Sequence, residues 1–299
     1  QSYFDGPSPR EAAIRAYADS LYRRVDWVWA QNRPPLIALG WYPETGFHPM
    51  GWRGYNEAMI LYLLALGSPT HPIGADAWEE WTETYVWAPY GGSEFVSFGP
   101  LFGHQFSHCW VDFRGIRDVY MKNKGIDYFE NSRRATRSQR WYATRNPGAW
   151  RGYSRDIWGF TACDGPGDTS FAVDGRSRRF QGYAARGVSI DWTNDDGTIA
   201  PTAVGSSLAF SPEICLPSLQ AMKETYGELV WRQYGFIDAF NPSFVTPATG
   251  ERGWFDTDYL GIDQGPILTM AENLRSGFVW KTMKKNPYII AGLRRAGFT

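Results

Sequence analysis

Histidine and cysteine are scarce in this chain, with four and three residues among 299. Cys109, Cys163 and Cys215 lie far apart and none belongs to a CxxC pair. The chain therefore carries no disulfide framework and no thiol-based zinc pattern. Net charge is also nearly absent. Thirty Lys and Arg stand against 31 Asp and Glu, which leaves no basic surplus for a phosphate backbone and argues against a nucleic-acid binder. Long apolar runs are missing too. The longest covers residues 59–66, whereas a bilayer span needs about twenty residues. There is no 20–50-residue repeat, no low-complexity linker and no βαβ alternation. GxGxxG, Walker, GxSxG, HExxH and EF-hand patterns are all absent, so neither a cofactor nor a metal is expected. The first residues, QSYFDGPSPREAA, lack the basic and apolar regions of a signal peptide, and a secreted chain reads the same after cleavage. A periplasmic or secreted location is the expectation.

Aromatic residues are abundant: 15 Trp, 17 Tyr and 18 Phe, or 17% of the chain. Such a chain is not disordered. Trp and Tyr join a broad apolar face to a polar edge, so they can build a bulky core or line a cleft for sugar rings. Helix signals dominate the pattern. Ser8-Pro9-Arg10-Glu11 reads as a capping box, and Ile14, Tyr17, Leu21, Val25 and Val28 at spacings of three and four predict a helix over 9–29. Further helices are predicted over 55–66, 75–85, 105–122 and 127–145, and others towards the C-terminus. Residues 158–202 lack helical period and form an irregular excursion, with a hairpin expected at Asp174-Gly175. About eight helices joined by aromatic loops predict one all-α domain over 1–299, an (α/α)6 toroid left incomplete, since a closed one needs twelve.

Four stretches carry candidate chemistry. Glu57 enters an apolar helix, where desolvation would raise its pKa towards that of a general acid; the plain alternative is placement at a favourable helix start. Asp256, Asp258 and Asp263 lie among Trp254, Phe255 and Tyr259, ahead of a helix. A water-activating carboxylate fits there, and so does a simple N-cap at Asp263. His104, His108 and Asp112 follow an i, i+4, i+8 spacing, which suggests a polar, substrate-facing stripe more than a metal site; histidine packing with Asp112 is the plain alternative. The loop 158–167 offers Trp158 and Asp164 to sugar hydroxyls and faces. Two or more carboxylates in aromatic surroundings are the equipment of glycoside hydrolysis, in which one acid protonates the leaving oxygen and another serves as base or nucleophile.

The run Tyr259-Leu260-Gly261-Ile262-Asp263-Gln264-Gly265-Pro266-Ile267, with Glu272-Asn273 and Arg275-Ser276-Gly277, resembles the C-terminal signature of the glycoamylase-like family. That family includes bacterial endo-β-1,2-glucanases, β-1,2-oligoglucan sophorohydrolases and a domain of cyclic β-1,2-glucan synthases. Gly54-Tyr55-Asn56-Glu57-Ala58-Met59, Gly99-Pro100-Leu101-Phe102-Gly103-His104-Gln105, Trp110-Val111-Asp112-Phe113-Arg114-Gly115 and Ala162-Cys163-Asp164-Gly165-Pro166-Gly167 agree with it. The resemblance implies a toroid acting on β-1,2-linked glucose chains, with Glu57 as general acid and Asp263 as a second functional carboxylate. The expected sugar-binding set is Trp52, Tyr55, His104, His108, Asp112, Trp158, Asp164, Trp254, Asp258, Gln264 and Glu272. Family members carry further N-terminal helices, so a separate fragment or chain completing the toroid is an expected partner beside the saccharide. An α-glucan glucoamylase and a non-catalytic glucan-binding protein are the alternatives.

Overall fold

The computed structural model describes all 299 residues. It contains eleven α-helices, two 3-10 turns and seven two-stranded antiparallel ladders. The helical character matches the sequence pattern, but the ladders exceed the single hairpin expected. Five of the seven pair strands of only two residues, too short to display an alternating pattern. The chain forms two compact units. The first comprises Gln1–Tyr85, Trp110–Phe129 and Gly277–Thr299; the second comprises Val86–Cys109 and Glu130–Ser276.

In the first unit, helix Pro9–Arg23 starts as the capping pattern requires, with Ser8 Oγ accepting the Glu11 N–H at 3.2 Å. It stops well before residue 29. Beyond it, Asp26 Oδ1 accepts the Trp29 N–H at 2.9 Å and the chain runs on in turns. Ile14, Tyr17 and Leu21, read as an apolar stripe, stand exposed. Helices Met59–Gly67 and Pro287–Arg295 instead pack with backbones almost touching. A Cβ on Gly67 would lie 2.0 Å from the Tyr288 carbonyl oxygen, and one on Gly292 the same distance from that of Leu63. The unit's core is aromatic: Tyr55 stacks parallel to Tyr128 at 6.0 Å between centroids, and Trp78 meets Phe298 edge-on at 5.5 Å. Asp118 ties this cluster to the helix it caps, accepting from Met121 N, Trp78 Nε1 and Tyr128 Oη.

The helix expected over 105–122 is two helices, Phe102–Trp110 and Val119–Lys124. Between them Asp112 takes the Arg114 N–H and guanidinium at 2.7–3.2 Å, which favours a turn over continued helix. Asp112 therefore lies outside the helix that carries His104 and His108.

The second unit packs Trp158, Phe160, Phe180, Val204 and Phe240 into one core. Helix Tyr128–Arg145 contributes a buried polar stripe, since main-chain groups of neighbouring loops need partners. Gln139 donates to the carbonyls of Gly99 and Phe160 and accepts the Phe160 N–H, all at 2.9 Å. The excursion contains the hairpin Thr169–Val173 with Arg176–Phe180. Asp174 and Gly175 turn it with positive φ at both positions, as a two-residue type I′ connection demands.

Candidate active site

Glu57 stands two residues before helix Met59–Gly67, not inside it. Its turn is held from both sides. Asn56 Oδ1 accepts the Ala58 N–H, Asn56 Nδ2 donates to the Gly54 carbonyl, and Gly54 N donates to the Trp81 carbonyl at 3.0 Å. Gly54 has φ +77°, a conformation that glycine adopts without strain. The half-buried Glu57 carboxyl is pushed above the ordinary range by desolvation, partly offset by a main-chain hydrogen bond. A raised carboxyl keeps its proton nearer neutrality, which is the condition for an acid that must donate it.

Four aspartates form a cluster in the second unit. Asp164 follows strand Ala162–Cys163, Asp238 lies between Gly235–Phe236 and Phe240–Asn241, Asp256 follows Trp254–Phe255, and Asp263 begins helix Gly261–Arg275. One carboxylate oxygen from each of Asp164, Asp238 and Asp256 lies within 4.8 Å of the other two. The main chain fixes them. Asp164 N donates to Asp238 Oδ2 at 2.7 Å, Asp238 N to the Asp258 carbonyl at 3.1 Å, and Asp256 N to the Ala239 carbonyl at 3.0 Å. Asp256 Oδ1 accepts the N–H groups of Thr257 and Asp258. Asp263 is buried, and desolvation together with the neighbouring charge of Asp238 pushes its carboxyl up; burial likewise raises Asp238 and Asp256. Beneath the cluster, buried Arg186 grips Asp196 with two bonds of 2.7 and 2.8 Å and donates to the carbonyls of Cys163, Gln181 and Gly182. That network holds the loop bearing Asp164.

The remaining expected site residues divide. Trp254 is half-buried against Cys163, Ala200 and Ala239. Asp258 is exposed and joins the cluster through its main chain. Gln264 Nε2 donates to the Phe236 carbonyl at 2.6 Å, bracing the hairpin beside Asp238. Other placements correct the sequence reading. His104 and His108 are 0% and 1% exposed, so neither ring reaches a dissolved ligand. Their ring nitrogens meet the Phe98 carbonyl and Ser132 Oγ respectively, and desolvation lowers His104 to about 4. Asp112 is no part of their stripe. Burial alone would raise its carboxyl, but Arg114 and Lys284 outweigh that and hold it at about 2. Trp158 is wholly buried, with Nε1 donating to Ser218 Oγ at 2.8 Å, and Tyr55 belongs to the aromatic core. These are packing roles. The Trp52 carbonyl accepts the Tyr62 hydroxyl, and Glu272 binds Arg275 and Ser276 within its own helix end.

The sequence reading does not single out Asp238, and it takes Asp256 only as one of three acids that could activate water. Asp238 did leave a signal: it is a lone acid in the otherwise apolar segment Phe236-Ile237-Asp238-Ala239-Phe240, and acids survive burial only for a reason.

The profile of the glycoamylase family, described as "Putative glucoamylase", matches residues 49–287, and the chain belongs to that family. An exo β-1,2-glucooligosaccharide sophorohydrolase from Parabacteroides distasonis is 26% identical over 99% of the chain. The chain spans only 41% of that relative's length. Among solved structures, an endo-β-1,2-glucanase from Chitinophaga pinensis, in complex with sophorotriose and glucose, aligns at TM-score 0.82 and 31% identity, covering 100% of this chain and 68% of that one. A protein from Bacteroides uniformis, crystallised under the family's description, gives 0.84 and 32% with the same coverages.

Proposed function

We propose that this chain is the catalytic part of a glycoside hydrolase that cleaves β-1,2-linked glucan or its oligosaccharides. The observation that carries the chemistry is Glu57, a carboxyl raised by desolvation in a tethered turn. In the proposed reaction it protonates the departing glycosidic oxygen. The linkage rests on the relatives, whose names specify β-1,2-glucans. The near-zero net charge suits a neutral glucan better than a uronic-acid polymer. The same likeness supports helices arranged as an (α/α)6 toroid. The family's description favours a second reading, an α-glucan glucoamylase. Parallel digestion of linear β-1,2-glucan and soluble starch separates the two. Short β-1,2-glucooligosaccharides with untouched starch support the proposal; glucose from starch with untouched β-1,2-glucan overturns it.

A further inference from the structure

Helix Tyr128–Arg145 turns a basic face to solvent. Arg137, Arg140, Trp141, Thr144 and Arg145 stand at i, i+3, i+4, i+7 and i+8 and so share that face. With Arg155 of the following loop, and with Glu213 and Ile214 of helix Pro212–Tyr226, they line an open cavity of about 670 Å³ in the second unit. That is the volume of a small-molecule site, and no residue of it belongs to the Glu57 turn or to the aspartate cluster. Its charge is uneven, with four guanidiniums against one carboxylate. Most arginines of this face are spoken for. Arg137 donates to Glu213 at 2.8 Å, and Arg140 to Asp156 at 3.4 Å and to the Arg155 carbonyl at 2.8 Å. Arg133 and Arg134, one turn earlier, share Glu130. Arg145 and Arg155 break the rule, since neither guanidinium has a carboxylate or a hydrogen-bond acceptor. Arg145 lies over the Trp141 ring at 4.6 Å instead. Its place in the last helical turn accounts for a cation there, but that does not bring Arg155 to the same cavity. Ser154 Oγ does, by accepting the N–H groups of Asp156 and Ile157 at 3.2 and 3.0 Å and fixing the turn that carries Arg155.

We propose that this cavity binds the phosphate group of a small phosphorylated molecule, a sugar phosphate by preference. A phosphomonoester carries close to two negative charges near neutral pH, and the two uncommitted guanidiniums supply two positive ones. Each presents paired N–H donors that match phosphate oxygens bidentately, whereas a lone carboxylate would occupy one and leave the other unanswered. Beside them Trp141 and Ile214 form an apolar wall and Thr144 offers a hydroxyl, a mixture that suits the faces and edges of a sugar ring. The proposal goes beyond the glycosidase reading and does not rest on it, since a neutral glucan has no charge to place among four arginines.

The test titrates the whole chain with glucose 6-phosphate by calorimetry, in a phosphate-free buffer of low ionic strength, and repeats the titration with saturating inorganic phosphate present. One molecule per chain is expected, with Kd at or below about 1 mM, displaced by inorganic phosphate and weakened by added salt. Arg155→Gln and Arg145→Gln should each weaken binding about tenfold or more, the worth of a hydrogen bond to a charged group. The Arg155 side chain holds nothing inside the protein, so Arg155→Gln should leave Tm unchanged and report on the ligand alone. Glu57→Gln should bind glucose 6-phosphate as the wild type does, which separates this site from the glycosidase assignment. Absence of binding overturns the proposal, as does binding that neither arginine variant alters or that saturating phosphate does not displace. Inorganic phosphate bound as tightly as glucose 6-phosphate overturns the preference for a sugar phosphate.

Discussion

At the residue scale, the proposed chemistry rests on Glu57, whose protonation would then set the pH dependence. Desolvation raises the folded-state pKa, so the protonated, donating form persists to higher pH than for an exposed glutamate. Activity should hold on the acid side of that pKa and fall as pH rises through it. Glu57→Gln should lower kcat by about 10²–10⁴-fold and remove that alkaline limb from the kcat/KM profile. An unchanged limb in the variant would assign it to another group. A second prediction concerns Arg186, whose ion pair with Asp196 is buried on both sides, at 1% and 2% exposure. Arg186→Ala leaves buried Asp196 without its cation, held only by the N–H groups of Gln181 and Thr198, and should lower the urea-unfolding free energy by about 3–5 kcal/mol. Glu57 was legible because a single acid in an apolar run is conspicuous. Arg186 was not. Its partners are carbonyls brought together by two-residue ladders, and no local pattern encodes those.

At the element scale, periodicity found the helices but not all of their ends. Helix Tyr128–Arg145 falls within a residue of the predicted 127–145. The 105–122 prediction failed where Asp112 bonds its own backbone and side-chain neighbours and breaks the helix. The i, i+4, i+8 reading of His104, His108 and Asp112 failed with it. The close crossing of Met59–Gly67 and Pro287–Arg295 offers a direct test. Alanine normally favours a helix over glycine by about 1 kcal/mol. At Gly292 a Cβ would meet the Leu63 carbonyl oxygen at 2.0 Å, and overpacking of this kind costs about 1–3 kcal/mol. The clash should win, so Gly292→Ala should lower Tm. A raised Tm would show that the two helices separate without penalty.

At the scale of the whole molecule, acid should destabilise the fold before it protonates most carboxylates. His104 is neutral in its desolvated place, with its pKa lowered to about 4 against an ordinary value near 6.5. Between those values the unfolded chain binds a proton that the folded chain refuses. Stability is therefore complete above about pH 6.5 and declines towards pH 4, by up to about 3 kcal/mol from this group. Melting curves of wild type and His104→Gln across that window check it: the wild type should lose more. The sequence made the helical class and the family legible through long motifs, yet it hid the aspartate cluster, which exists only once distant hairpins meet. Whether these parts form a β-1,2-glucanase is tested most directly by chromatography of linear β-1,2-glucan digested with wild type and Glu57→Gln protein side by side. The account predicts oligosaccharide products from the wild type and almost none from the variant. Equal product from both, or none from folded wild type, would contradict it.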